Sequence, residues 1–164
     1  MASIHDALST VLNELLDGSA SDSGWVLNPK DPGLLRSLAV LSAADASAIP
    51  SGGRSSIAAH VDHVRYGLAL LNRWSQGEEN PFASADWTAS WKRTTVSEPE
   101  WSGLRNELQS EARKWQAAVR KPREFSEDEL NGYLASAAHL AYHLGAIRQM
   151  SAVARGPFHS PTSP

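Results

Sequence analysis

Residues 126–153 read SEDELNGYLASAAHLAYHLGAIRQMSAV, and this stretch decides the fold. Ser126 is a good N-cap type, and Glu127, Asp128 and Glu129 suit the positive end of a helix dipole. Ser126 and Glu129 also have the spacing of a capping box. Behind them Leu130, Leu134, Leu140, Leu144 and Ile147 recur at helical steps, and Gly156 with Pro157 marks a stop. The spacing predicts a helix from Ser126 to about Val153. Between Leu130 and Ile147 there are few charged residues, so this helix is expected to be buried over much of its circumference.

Three more long helices follow from the same signals. Ile4, Leu8, Val11, Leu12, Leu15 and Leu16 predict one from about Ser3 to Leu16, with Gly18 at its stop. A second opens at Ser55 or Ser56, carries the stripe Ile57, Val61, Val64, Leu68 and Leu71, and runs to about Trp74 before Gly77. A third opens at Ser97, with Pro99 in its first turn and Glu100 completing a capping box, and continues to about Val119 before Pro122. A shorter helical piece, Leu34 to Ala46, ends before Pro50 and Gly52-Gly53. No strand-like alternation occurs. The expected fold is all-α, a four-helix bundle with a long crossover connection. Residues 1–156 are expected to form one domain, and residues 157–164 a disordered tail.

The connection over residues 77–96 holds Pro81, Phe82, Trp87 and Trp91 and has no long period. Loops of this length within a domain often serve function. The plainer expectation is that the aromatics pin the crossover to the bundle.

Composition narrows the function classes. The 164 residues are 41% hydrophobic and 20% charged, which fits a globular domain able to bury a core. The net charge of −3, with no cluster of Lys or Arg, argues against nucleic acid or acidic lipid as the main partner. The absence of cysteine excludes disulfides, thiolate metal sites and a cysteine nucleophile. No apolar run approaches the roughly 20 residues that span a bilayer, and the first residues lack the pattern of a signal peptide. A cytoplasmic protein is the expectation.

Six histidines remain to be placed. His5 and His159 lie near the ends and are expected to be solvated. His139 and His143 are four apart in the last helix, so both imidazoles share one face, one turn apart. That is a metal-binding geometry, although paired surface histidines have the same spacing. The pair borders the stripe of Ala137, Leu140, Leu144 and Ile147, and small residues (Ala135, Ser136 and Ala146) leave room beside it. On the second long helix, His60 lies at the centre of the apolar face with Val64, Gly67 and Leu71. His63 lies to one side near Ser56, Leu70 and Trp74, while Asp62, Arg65 and Arg73 are expected to face outward. Two helices therefore aim imidazoles at one core, where buried nitrogens need partners.

A nitrogen-rich site without thiolates suits a divalent transition metal, zinc or nickel foremost, better than magnesium or calcium. Three histidine ligands leave a coordination position open, the pattern of catalytic rather than structural zinc.

The stretch Ser56-Ile57-Ala58-Ala59-His60-Val61-Asp62-His63, followed by His139-Leu140-Ala141-Tyr142-His143-Leu144-Gly145, resembles the DinB/YfiT-like family of metal-dependent enzymes over essentially the whole chain. The resemblance implies a four-helix bundle with a long crossover, often a homodimer. It also implies a metal held by one histidine of the second helix and a His-x-x-x-His pair of the last. The family's early ligand lies seven residues after the Ser or Thr that opens the second helix, which is His63 counted from Ser56. The implied metal ligands are thus His63, His139 and His143. Two features depart from the family pattern. His60 is a second candidate for the early ligand, or a neighbour that orients one. Gly145-Ala146 stands where many relatives have Gly-Gln, so a polar group is missing beside the site.

The family chemistry suggests a hydrolase in which the metal activates water for a small-molecule substrate. A thiol-dependent S-transferase is the alternative, and a non-catalytic, metal-stabilised binding protein a third reading. Tyr142 lies off the histidine face, which suits packing or an interface. Arg148 lies opposite the pair and is expected in a salt bridge. No Gly-x-Ser-x-Gly elbow is present.

Overall fold

The structure is a computed structural model that describes residues 3–19 and 22–155. His159 and the expected tail at 157–164 lie outside the described residues. The helices are α1 (Ile4–Asp17), α2 (Leu34–Ala39), α3 (Ala43–Ser47), α4 (Ile57–Ser75), α5 (Glu98–Val119) and α6 (Glu127–Met150). Short 3-10 turns occur at Ala89–Trp91 and Ala152–Ala154. Among the described residues there is no strand, only an isolated bridge between Gly18 and Pro32. None of the described helices is long and apolar enough to cross a membrane.

Local chemistry sets the ends. Ser3, Ser42 and Ser126 each accept from the backbone N–H three residues on, and Asp6, Asp45 and Glu129 return a carboxylate to the cap. Glu100 takes the Ser97 N–H at 2.7 Å in the same way at the start of α5. Ser56 caps α4 through the Ala59 N–H. Gly18 ends α1 with φ 101°, a conformation that favours glycine. The single piece expected at 34–46 is two helices. Ser42 starts α3 with its own capping box, and the Leu41 carbonyl before it accepts the Trp101 indole N–H at 2.8 Å.

The four long helices form the expected bundle. α1 and α4 each pack against both α5 and α6, so α1 and α4 stand at opposite corners. The excursion containing α2 and α3 makes that diagonal step, packing on α1, α4 and α5 on the way. The long connection from Gln76 to Ser97 joins the neighbouring corners α4 and α5, and its 3-10 turn lies against α4. The core is continuous from Leu12 and Leu16 through Val61, Leu104 and Leu108 to Leu144 and Ile147, all essentially inaccessible. Trp101 and Trp115 are fully buried. The Trp115 indole donates to Ser136 Oγ at 3.1 Å, and that hydroxyl donates to the Tyr133 carbonyl at 2.7 Å.

Two polar residues depart from expectation. His5 is buried rather than solvated, with 7% of its surface exposed. Its Nδ1 lies 3.3 Å from the Val119 carbonyl, and its Nε2 lies 2.7 Å from the Arg123 carbonyl and accepts the Arg123 N–H at 3.0 Å. It ties the start of α1 to the end of α5. Asp62 is buried rather than facing solvent, paired with Arg65 at 2.7 Å and Arg93 at 3.4 Å. Arg148 pairs with Asp31 at 3.1 Å and donates to the Pro32 carbonyl at 2.6 Å, as its position opposite the pair predicts.

Candidate metal centre

α4 and α6 pack side by side, and their facing sides bring four histidines together. His60 and His63 are one turn apart on α4, and His139 and His143 one turn apart on α6. His139 Nε2 lies 3.2 Å from His63 Nε2 and 2.9 Å from His143 Nε2. One potential ligand atom from each of these three lies within 4.8 Å of the other two. His60 is not part of this group. Its Nδ1 meets His143 Nδ1 at 2.9 Å, on the side of that ring away from His139. Of the two candidates on α4, His63 therefore joins the α6 pair and His60 stands behind it.

The hydrogen-bond chain around the cluster fixes which nitrogens carry protons. Ser90 donates its hydroxyl proton to the Trp87 carbonyl at 2.7 Å. The same oxygen lies 2.8 Å from His63 Nδ1, so it accepts from that Nδ1–H. The lone pair of His63 is then on Nε2, aimed at the other two rings. A His143 ring that presents a bare Nε2 to the cluster donates its Nδ1–H to His60 Nδ1 in turn. His63 and His143 thus each have the outer partner that metal-binding histidines generally have.

Burial keeps these rings neutral. It pushes the His143 pKa down to about 3, aided by His139, His60 and His63. Burial likewise pushes His63 down to about 4, aided by His139 and His60 and opposed by the Asp62 carboxylate. His60 and His139 are also lowered by burial. Neutral imidazoles offer lone pairs, and one shared proton cannot satisfy three converging nitrogens. A cation can. Zinc–nitrogen bonds of about 2.0–2.1 Å in a tetrahedral site separate ligand nitrogens by about 3.3 Å. The contacts of 2.9 and 3.2 Å are close to that spacing, so the donor set fits a metal ion.

The connection between α4 and α5 completes the site, so its tryptophans do more than pin a loop. Trp91 stacks on His63 with centroids 4.4 Å apart and meets His60 edge-on at 5.0 Å. Trp87 is tilted against His63 at 5.5 Å. The loop is itself anchored by the Asp86 N–H on the Tyr66 hydroxyl at 3.0 Å. Tyr142 is exposed, yet its ring packs edge-on to His143 at 5.0 Å.

Two clefts flank the cluster. One of about 540 Å³ is lined by His63 and His139 with Gly67, Leu71, Phe82, Trp87 and Ala135. The other, of about 620 Å³, is lined by His60 and Trp91 with Arg54, Ser55, Ala146 and Gln149. The small residues Ala135 and Ala146, expected to leave room beside the histidines, open one cleft each. Gln149, one turn beyond Ala146, lines the same cleft as His60.

A family model described as the DinB superfamily matches residues 33–147. No curated protein and no solved structure matches the chain. The matched span takes in all four clustered histidines and the tryptophan-bearing connection, and it covers most of the sequence. A bundle with imidazoles converging from its second and last long helices fits a metal-binding protein, and the chain belongs to the DinB superfamily.

Proposed function

We propose that this chain holds one divalent transition metal ion on the Nε2 atoms of His63, His139 and His143 and hydrolyses a small-molecule substrate there. The observation that carries the reading is the convergence of three neutral Nε2 atoms, two of them 2.9 Å and two 3.2 Å apart. An all-nitrogen, uncharged donor set favours zinc or nickel over magnesium or calcium. When bound, such an ion supplies Lewis acidity and brings the pKa of water toward neutrality.

The protein's own part is orientation. Ser90 holds the proton of His63 on Nδ1, and His60 Nδ1 accepts the corresponding proton of His143. Trp91 covers the cluster on the crossover side and restricts water there.

Elemental analysis of the purified protein tests the reading, with wild type beside a His139→Ala/His143→Ala variant. About one equivalent of zinc or nickel in wild type and none in the variant is expected. Equal metal in the two, or none in wild type after metal-replete expression without a nickel column, would overturn it. Metal-dependent consumption of a low-molecular-weight thiol with an electrophile, without hydrolysis of esters or amides, would decide instead for a thiol transferase.

A further inference from the structure

Both clefts reach the histidines, but they differ in what they touch. Two of the three clustered ligand candidates, His63 and His139, line the cleft on the Trp87 side. None of the three lines the other cleft, which stops at His60. Whatever reacts at the cluster is therefore reached from the Trp87 side.

The chemistry of that cleft is selective. Among the described residues, no Asp, Glu, Lys or Arg lines it. The Ser136 hydroxyl in its lining is engaged on both sides, by the Trp115 indole and the Tyr133 carbonyl. Apart from an ion held by the histidines, a charged group entering the cleft would lose water and gain no counter-ion from the protein. The walls are aromatic. Phe82 packs against Trp74 with centroids 6.0 Å apart, and Trp87 is braced edge-on by Tyr66 at 5.6 Å. Gly67 keeps the space between wall and ligand open. A methyl group there would sit 3.9 Å from the Trp87 ring and 3.7 Å from His139 Cε1, so any longer side chain would fill the slot. The volume of about 540 Å³ lies within the range of small-molecule sites, roughly 300–1,000 Å³.

We propose that the cleft between Gly67, Leu71, Phe82 and Trp87 binds the substrate, and that the substrate is an uncharged molecule with a planar apolar group. Its reactive group then lies beside His63 and His139. This rests on the metal reading for the reaction alone, since ring recognition by the cleft does not need the ion.

The test uses one ring shape in three charge states: naphthalene-2-carboxamide, naphthalene-2-carboxylate and 2-naphthylmethylammonium. Binding is followed by calorimetry on the full chain at neutral pH before and after chelation, with metal content measured on the untreated samples. The charge comparison is read on the chelated protein, where no ion can ligate the carboxylate. The carboxamide is expected to bind at least tenfold more tightly than either ion. Ala135→Phe, at the exposed rim, should weaken it at least tenfold without changing metal content or melting temperature. Trp87→Ala, which removes a wall, should do the same to the carboxamide and serves where Ala135→Phe folds poorly. Equal or tighter binding of an ion, or carboxamide affinity unchanged in both variants, overturns the proposal. A wild type that carries no metal but keeps the charge preference and the effects of both variants supports the cleft and defeats the metal reading. A metal-loaded wild type without that preference does the reverse.

Discussion

Ser90 shows how much one hydroxyl can decide. Its proton goes to the Trp87 carbonyl, so its oxygen can only accept from His63 Nδ1, and the His63 lone pair is left on Nε2. Ser90→Ala removes that choice, and His63 then samples the tautomer with its proton on Nε2. Metal affinity is expected to fall about 10–100-fold, the usual cost of losing an outer partner. Competition against a chelator of known affinity measures it, and Ser90→Thr, which keeps the hydroxyl, should stay close to wild type. An unchanged affinity in Ser90→Ala would show that the tautomer is set elsewhere. Ser90 was not legible in the sequence. Its partner is 27 positions away, and a serine in a tryptophan-rich loop has no periodicity to mark it. His139 and His143 were legible because their partner is one helical turn away. His5 was misread for the same physical reason as Ser90. Its burial depends on where the end of α5 lies, and nothing within a few residues of position 5 records that.

Helices were the most readable level, since caps and stops act locally. Ser3, Ser56, Ser97 and Ser126 all open helices, and Gly18 and Gly77 both adopt φ 101° at or just beyond a helix end. The break between α2 and α3 carried its own signal in Ser42 and Asp45, but the apolar period across 34–46 masked it. Glycines within helices separate propensity from packing. At Gly103 in α5 an added Cβ meets nothing within 4 Å. Gly103→Ala should therefore stabilise by about 0.5–1 kcal/mol, the helix-propensity difference alone. At Gly132 in α6 a Cβ would lie 2.7 Å from the Trp74 ring, which packs between Phe82 and Tyr133. There the same propensity gain is opposed by overpacking of about 1–3 kcal/mol, so Gly132→Ala should destabilise. Urea midpoints that shift in opposite directions bear this out, and two shifts of the same sign contradict it.

For the molecule as a whole, the cluster makes folding depend on pH. In the folded, metal-free chain burial holds the His63 pKa at about 4 and the His143 pKa at about 3, both below the ordinary value of 6.5. Between those values and 6.5 the unfolded chain binds more protons than the folded one, so stability rises with pH. The full contribution is present above about pH 6.5 and is lost as pH falls toward about 4 for His63 and about 3 for His143, at about 1.4 kcal/mol per pH unit for each. Urea unfolding of chelator-treated protein across pH 4–7 should show this slope, and His63→Ala/His143→Ala should flatten it. An equal slope in that variant would assign the pH dependence to other groups. The square of α1, α5, α4 and α6 also explains what the sequence left open. Amphipathic stripes report that a helix is buried but not which neighbours it meets, and the diagonal step from α1 to α4 follows from the packing of α2 and α3.

His63 and His139 stand 76 positions apart, on helices separated by one long connection, α5 and a short turn. An ion held between them would act as a staple across that span. In the chain-entropy account, a cross-link of this size restricts the unfolded chain by about 4–5 kcal/mol. Small domains are stable by only about 5–15 kcal/mol in total. Metal supply in the cell would then govern how many copies escape proteolysis, and scarcity would be read out as abundance before it was read out as activity.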